Sequence, residues 1–122
     1  MTKKILIIDD EVDLVDLTKV YLESENYEVV TAHDGEEGLQ KAESENPDLI
    51  LLDINMPKMN GYQVLEKLKG NSGTKEIIVV MFSTNCTQRD IDKARKLGAD
   101  DYITKPFEPE QLIDNLKKFF KK

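Results

Sequence analysis

The sequence predicts an α/β fold, a doubly wound parallel sheet built from five βα units. Short apolar runs alternate with amphipathic segments five times along the 122 residues. The first, third and fourth runs are apolar at successive positions, which is typical of parallel strands covered by helices on both faces. Turn signals separate the segments at short intervals. One compact domain spanning residues 1–122 is therefore expected.

The five units follow one another along the chain, each a strand and the helix after it. They are KILIID (4–9) with 12–24, YEVVTA (27–32) with 35–45, DLILLD (48–53) with 61–69, EIIVVMFS (76–83) with 88–97, and DYIT (101–104) with 109–121. Asp34, followed by Glu37, predicts a capping box at the second helix. Pro109 suits a first helical turn, and Gly98 suits a left-handed residue after a helix.

The composition argues against several classes of protein. Seventeen Lys and Arg against 24 Asp and Glu give a net charge of −7, which would repel a nucleic-acid backbone. The apolar runs are too short to span a membrane, and the N-terminus leads directly into a strand instead of a signal peptide. The single cysteine, Cys86, excludes an internal disulfide and a Cys-based zinc site. We expect a cytoplasmic protein without direct nucleic-acid or membrane contacts.

Carboxylates follow two strands whose ends are expected to be neighbours. A common order for such a sheet is 2-1-3-4-5, and its ligand site lies beyond the carboxyl ends of strands one and three. Asp9 and Asp10 stand at the first of these ends, and Asp53 stands at the second. A buried ionised carboxylate needs a partner or a metal to offset its desolvation. All-oxygen ligands select a hard cation, so the pattern predicts a Mg²⁺ site.

Ser83 and Lys105 end strands four and five at the same edge of the sheet. A hydroxyl, an ammonium and a cation around one carboxylate suit phosphoryl transfer. Asp53 is the best candidate for the nucleophile because it stands alone at its strand end, whereas the acidic pair resembles a set of metal ligands. Taken singly, each of these residues has an ordinary structural explanation, as a helix cap, a strand end or a solvated charge. Their convergence favours the functional interpretation.

The chain resembles the receiver domain of two-component response regulators, in particular single-domain receivers of the chemotaxis type. The resemblance covers essentially the whole chain and is carried by KILIIDDE, LLDINMPKMNG, VVMFST and GADDYITKPF. It implies a flavodoxin-like fold and a phosphorylation-controlled signalling switch. It also implies that the protein is not an enzyme apart from catalysing its own phosphorylation and dephosphorylation.

The resemblance also implies roles for individual residues of the acidic site. It makes Asp53 the phosphoacceptor, Asp10 a direct Mg²⁺ ligand, Asp9 a neighbour that acts through water, Asn55 a donor of its backbone carbonyl to the metal, and Ser83 and Lys105 partners of phosphoryl oxygens. The Lys105–Pro106 peptide is expected to be cis. Tyr102 matches an aromatic switch position that turns inward when Ser83 is drawn toward the phosphoryl group.

Three residues near the acceptor are expected to tune the phosphorylation chemistry. Asn55 and Asn85 match positions that affect hydrolysis of the acyl phosphate in the family, and neither offers a carboxylate to activate water. Thr84 departs from the family pattern, in which Ala or Gly usually follows the hydroxyl position. Its branched side chain is stiff and adds bulk beside the path to Asp53.

The partners implied are a histidine kinase or phosphotransfer protein and an output protein whose identity the sequence does not give. The output protein would bind a face of the receiver formed by helix four, strand five and helix five. A monomer or a weak phosphorylation-dependent dimer is expected. Asn115 stands where many transcription factors of the family carry Arg, which weakens the inference of their helix-four to helix-five dimer.

Three alternative interpretations of the function stay open. The run GADDYITKPFEPEQL resembles the transcription-factor branch, so the chain could be a receiver excised from a larger regulator. A Mg²⁺-dependent phosphohydrolase with an aspartyl nucleophile is disfavoured, since such enzymes show D-x-D-x-T after strand one and residues 9–13 read DDEVD. A flavin-binding module is disfavoured because the loop after strand one is anionic instead of rich in Ser, Thr and Gly.

Overall fold

The computed structural model, which describes residues 2–84, 87–105 and 107–120, contains one five-stranded parallel sheet of order β2-β1-β3-β4-β5. The elements are β1 (Lys4–Ile8), α1 (Val12–Ser24), β2 (Glu28–Ala32), α2 (Gly35–Glu45), β3 (Leu49–Asp53), α3 (Gly61–Lys69), β4 (Ile78–Ser83), α4 (Gln88–Lys96), β5 (Asp101–Thr104) and α5 (Pro109–Phe120). The predicted fold class and strand order are confirmed.

Both faces of the sheet are buried, which explains the continuous apolar strands. Along β1, Ile5 and Ile7 belong to one hydrophobic cluster, whereas Leu6 and Ile8 belong to the other. The first cluster includes the buried apolar side chains of α1 and α5, and the second includes those of α2, α3 and α4. Because successive side chains of a strand point to opposite faces, the central strands are apolar at successive positions and polar only at their ends.

The ends of several elements differ from prediction by one or two residues. β4 begins at Ile78 instead of Glu76 because the preceding residues form a turn in which the Ile77 N–H donates to the Thr74 carbonyl at 3.0 Å. α4 ends at Lys96, and Gly98 has a positive φ of 106°, as its position predicted.

The cap of α2 is only partly the one that the sequence predicted. Asp34 accepts a hydrogen bond from the Glu37 N–H at 2.8 Å, as expected. The Glu37 side chain, however, accepts from the His33 N–H at 2.9 Å, one residue before the cap. A complete capping box occurs instead at α3, between Asn60 and Gln63. The Glu37 carboxylate therefore caps the turn before α2.

Gly61 lets α3 begin directly against the end of β3. Its N–H donates to the Ile54 carbonyl at 2.8 Å. A Cβ at this position would lie 2.3 Å from the Asp53 carbonyl oxygen and 2.7 Å from Ile54 Cα. These neighbours are backbone atoms, so the close approach is possible only for glycine, and it fixes the backbone of Asp53 relative to α3.

The helices are short. They range from 9 residues in α3 to 13 in α1, whereas a membrane-spanning helix needs about 20 apolar residues. Within residues 2–84, 87–105 and 107–120, no helix has the length and apolar character required to cross a bilayer.

Substitution of Gly61 by alanine is expected to lower the free energy of unfolding by about 1–3 kcal/mol, because backbone must move to admit the new Cβ. Urea denaturation would measure this. Gly73→Ala is the matched control, since its Cβ would meet nothing closer than Asn71 Oδ1 at 3.4 Å, and its effect should stay within about 0.5 kcal/mol. Equal effects of the two substitutions would contradict the close approach at Gly61.

Candidate functional site

Four polar side chains meet at the carboxyl edge of the sheet. Asp53 and Ser83 are the last residues of β3 and β4, while Asp9 and Lys105 come directly after β1 and β5. All four residues are buried, with exposed fractions of 0% for Asp9 and Ser83, 3% for Asp53 and 8% for Lys105. The strand order thus places β1, β3 and β4 side by side with their polar ends together.

The ammonium of Lys105 lies at the centre of this cluster. Its Nζ is 3.0 Å from Asp9 Oδ2, 3.1 Å from Asp53 Oδ1 and 3.3 Å from Glu11 Oε1. An ammonium has three N–H donors, so each contact can be a separate hydrogen bond. The same Nζ lies 4.7 Å from the centre of the Phe82 ring. Lys105 therefore partly neutralises three carboxylates in a poorly solvated place.

Asp9, Asp10 and Asp53 offer carboxylate oxygens that lie within 4.8 Å of one another. Asp9 and Asp53 are buried and Asp10 is exposed, so the group opens toward solvent on one side. With Glu11, the cluster contains four carboxylates, three of which contact the single ammonium, so it carries excess negative charge. An exclusively oxygen donor set with this charge fits a hard divalent cation such as Mg²⁺.

Burial perturbs the acid–base behaviour of the cluster. Desolvation, followed by the negative charge of Asp9, raises the pKa of Asp53 to about 6, although Lys105 acts in the opposite direction. Burial also raises the pKa of Asp9. Burial alone would lower the pKa of Lys105, but its contacts with Asp9 and Asp53 raise it. At neutral pH the cluster therefore holds a cationic Lys105 beside an Asp53 that is largely ionised.

Ser83 and its neighbours connect the site to β4. The Lys105 N–H donates to the Ser83 carbonyl at 2.8 Å, and Asn55 Nδ2 donates to Ser83 Oγ at 3.3 Å. Thr84 is exposed. Asn85 and the Lys105–Pro106 peptide lie outside the described residues, so the expectations about them stay predictions.

Tyr102 lies in the middle of β5 and is half-buried against the cluster formed with α2, α3 and α4. On α3, the Tyr62 hydroxyl donates to Asp90 Oδ1 at 3.5 Å, and Lys93 Nζ lies 4.3 Å from the centre of the Tyr62 ring. Burial, and then the Asp90 carboxylate, raise the pKa of Tyr62 to about 12. These contacts join α3 to α4.

Sequence reasoning missed three residues of this region. Glu11 contacts Lys105 and donates its N–H to Asp9 Oδ1 at 2.9 Å. The signal for it was present, since Glu11 directly follows the acidic pair. Phe82 under Lys105 and Tyr62 beside α4 left no such signal, because an apolar strand residue and a helix aromatic are both expected in any core.

Comparison with known proteins points to one family. A sequence model described as the response regulator receiver domain matches residues 5–117. The alkaline phosphatase synthesis transcriptional regulatory protein PhoP of Bacillus subtilis is 42% identical over 119 residues, which are 96% of this chain and 48% of that protein. Response regulator ArlR of Staphylococcus saprophyticus is 41% identical over 116 residues, 93% of this chain and 50% of the relative. The chain spans about half the length of these curated relatives.

Comparison of the fold with solved structures indicates the same family. Chemotaxis protein CheY4 of Vibrio cholerae superposes with a TM-score of 0.92 at 31% identity, covering 97% of this chain and 98% of that one. A CheY-like receiver domain protein of Methanospirillum hungatei gives a TM-score of 0.90 at 36% identity, covering 98% and 94%.

Removal of the Asp53 charge should stabilise the fold at neutral pH. The pKa of Asp53, about 6 when folded, exceeds the value of about 3.9 in an unfolded chain, so the folded state binds this proton more tightly. Asp53 therefore makes folding progressively less favourable as pH rises from about 4 to about 6. We expect Asp53→Asn to raise the free energy of unfolding by about 1–2 kcal/mol at pH 7 and by less at about pH 4.5.

Urea denaturation in chelator-containing buffer measures this difference. Asp16→Asn, which removes an exposed carboxylate from α1, is the control, and its effect at pH 7 should stay within about 0.5 kcal/mol. A loss of stability in Asp53→Asn at pH 7 would mean that the contact with Lys105 outweighs the crowding of the carboxylates.

Proposed function

This chain belongs to the response regulator receiver family, whose domains are signalling switches of two-component systems, and on that premise we propose that Asp53 is its phosphoacceptor. The observation that carries the proposal is the position of Asp53, buried at the end of β3 with Lys105 Nζ 3.1 Å from its carboxylate. The donor would be a histidine kinase or phosphotransfer protein. The receiver would catalyse only its own phosphorylation and dephosphorylation, and residues 1–122 would form the receiver domain.

The residues around Asp53 support this chemistry. An ionised Asp53 oxygen attacks the phosphorus of the donor, and the bond between phosphorus and the leaving group breaks. Lys105 already pairs with Asp53 and can turn one N–H to an oxygen of the transferred group. Ser83 Oγ, fixed on β4 beside the side chain of Asn55, can donate to another. The new phosphoryl group is thus met by donors from two strand ends.

We propose Mg²⁺ as the cofactor. Asp10 and Asp53 would contact the ion directly, Asp9 would act through water, and the Asn55 carbonyl would complete the protein ligands. The close oxygens of the three aspartates support this. The ion would offset negative charge on the phosphoryl group. A site made of few carboxylates, one of them exposed, is expected to hold the ion weakly and with several waters.

The proposed output is a change in the surface formed by α4, β5 and α5. Ala94 is the buried residue of α4, and Tyr62 adds a hydrogen bond and a cation–π contact to this helix. Tyr102 is the register partner of Met81, two residues before Ser83 on β4, and packs against the same hydrophobic cluster as Tyr62. A charge added at Asp53 would draw Ser83 toward it and bias the position of Tyr102 and α4. An output protein would then bind this face with altered affinity.

A second proposal concerns the natural context of the domain. The curated relatives include a transcriptional regulatory protein of which this chain covers 48%. The receiver could therefore control a DNA-binding partner or a further domain. The net charge of −7 disfavours contact of the receiver itself with DNA.

Incubation with acetyl phosphate and Mg²⁺ is expected to add one phosphoryl group, and Asp53→Asn should abolish the addition because an amide is not a competent nucleophile. Intact-mass spectrometry measures both, and chelation of the metal should slow the reaction strongly. Asp16→Asn, on the exposed face of α1, should react like the parent. Phosphorylation of Asp53→Asn would refute the assignment.

Thr84 is expected to obstruct the approach of small donors and of the hydrolytic water. Its exposed, branched side chain follows Ser83 directly. Thr84→Ala should therefore speed both phosphorylation by acetyl phosphate and loss of the phosphoryl group, by about two- to tenfold. Both rates can be followed by intact mass.

Thr84→Ser separates bulk from polarity, since it removes the methyl group and keeps the hydroxyl. If bulk is the cause, Thr84→Ser should behave like Thr84→Ala. Unchanged rates in both variants would show that Thr84 does not guard the site.

A further inference from the structure

Glu11 is the exposed member of the ion cluster around Lys105. Its side chain is 62% exposed, whereas Asp9 and Asp53, which also pair with Lys105, are buried. The backbone of Glu11 is fixed, because its N–H donates to Asp9 Oδ1 at 2.9 Å and its carbonyl accepts from the Val15 N–H at 3.0 Å. The Glu11 carboxylate can therefore leave Lys105 without any movement of the loop after β1.

The ammonium of Lys105 donates in three directions. An ammonium has three N–H groups, and its nitrogen lies 3.0 Å from Asp9 Oδ2, 3.1 Å from Asp53 Oδ1 and 3.3 Å from Glu11 Oε1. The proposed reaction adds a further acceptor, because an oxygen of the incoming phosphoryl group also needs a donor. At the moment of transfer Lys105 therefore has more acceptors than N–H groups, and one of the carboxylates must release it.

The cost of release differs among the three carboxylates. Asp9 is fully buried, so the loss of Lys105 would leave its charge unpaired and out of reach of water, which is strongly destabilising. Asp53 is the nucleophile, and Lys105 must stay beside it to bring the donor and the acceptor together. Glu11 is exposed, so water can replace Lys105 as its partner. Glu11 is thus the carboxylate whose release costs least.

We propose that Glu11 is a positioning residue that holds one N–H of Lys105 and must release it before the phosphoryl group can bind there. The proposal rests on Asp53 being the phosphoacceptor. Glu11 then slows phosphorylation for two reasons. It competes with the donor for Lys105, and its negative charge repels an anionic donor.

The proposed step rearranges contacts and needs no further reactant. Glu11 turns to solvent, and Lys105 keeps all of its protons and directs the released N–H to a phosphoryl oxygen. An oxygen of Asp53 forms a bond to phosphorus, while the bond between phosphorus and the leaving group breaks. The leaving group keeps the bonding electron pair. When the phosphoryl group is later hydrolysed, Glu11 returns to Lys105.

The rate of phosphorylation by acetyl phosphate and Mg²⁺ is compared between the parent and Glu11→Gln by intact mass. The amide keeps the length of the side chain and removes its charge, so it competes less for Lys105. The variant is expected to react about two- to fivefold faster, which is the size of the effect of one exposed ion pair. Loss of structural support would slow the reaction, so an increase is specific to competition. An unchanged or lower rate would overturn the proposal.

Beryllofluoride tests the same competition at equilibrium. This anion binds an aspartate carboxylate as a phosphoryl group does, and its fluorine atoms take the places of the phosphoryl oxygens. Glu11→Gln should bind it about two- to fivefold more tightly than the parent, measured by fluorine NMR. Equal affinities would show that Glu11 does not compete for Lys105, whatever the rates, and would overturn the proposal.

Asp13→Asn is the matched control for charge. Asp13 is an exposed acidic residue in the first turn of α1, and its substitution removes the same single charge as Glu11→Gln. The contacts of Lys105 within the described part of the chain are with Asp9, Glu11 and Asp53. Asp13→Asn should therefore change the rate and the beryllofluoride affinity much less than Glu11→Gln. Equal effects would assign the change to overall charge and overturn the proposal.

Titration with Mg²⁺, followed by NMR, tests whether Glu11 acts on the metal instead of on Lys105. The proposed ligands are Asp10, Asp53 and Asn55, so Glu11→Gln should weaken Mg²⁺ binding no more than Asp13→Asn does. Clearly weaker binding in Glu11→Gln alone would assign Glu11 to the metal site, and the proposal would be wrong. Melting temperatures of the variants show whether each is folded.

The outcomes separate this inference from the proposed function. If acetyl phosphate leaves Asp53 unmodified in the parent and beryllofluoride does not bind, the acceptor assignment fails and this proposal fails with it. If the parent is modified and Asp53→Asn is not, the acceptor stands. The comparison of Glu11→Gln with Asp13→Asn then decides this proposal alone.

Discussion

The ion cluster around Lys105 is the constraint on which the functional end of this molecule depends. One ammonium lies within 3.3 Å of carboxylate oxygens from Asp9, Asp53 and Glu11. Two of these carboxylates are buried and would be strongly destabilising without a cation, because an unpaired buried charge costs several kcal/mol. The Lys105 N–H also joins β5 to the end of β4. Charge balance and backbone geometry at this edge are therefore fixed by the same residue.

The rest of the domain divides into a firmly packed part and a loosely anchored one. The central strands and α3 contribute side chains that are fully buried, and Gly61 fixes α3 against β3. α4, by contrast, buries Ala94 and depends for other contacts on exposed or half-buried polar groups such as Asp90 and Lys93. Segments with few buried apolar contacts are the ones that move at low cost. A charge change at the rigid end can thus be transmitted to α4 without disrupting the core.

The fold and most of the candidate site could be predicted from the sequence. Uninterrupted apolar strands imply a parallel sheet, and strand order then places Asp9 beside Asp53. The contacts of Asn55 and Tyr62 could not be predicted, since each depends on where a side chain from one element meets another element far along the chain. The cap of α2 was predicted only in part, because Glu37 can reach either of two adjacent N–H groups and the choice depends on the turn at His33. Sequence spacing specifies which residues are near, but packing decides which atoms touch.

The burial of both sheet faces has a consequence for how the strands align during folding. A strand with one apolar face resists sliding by a single residue, because the slip would expose that face. β3 lacks this protection, since its first four residues, Leu49 to Leu52, are all apolar. After a slip by one residue, each face of the sheet would still receive apolar side chains. What distinguishes the correct alignment is the polar residue at its end. A slip that drew Asp53 inward would separate its carboxylate from Lys105 and desolvate it among aliphatic side chains. Asp53, the proposed phosphoacceptor, thus also helps to specify the register of β3.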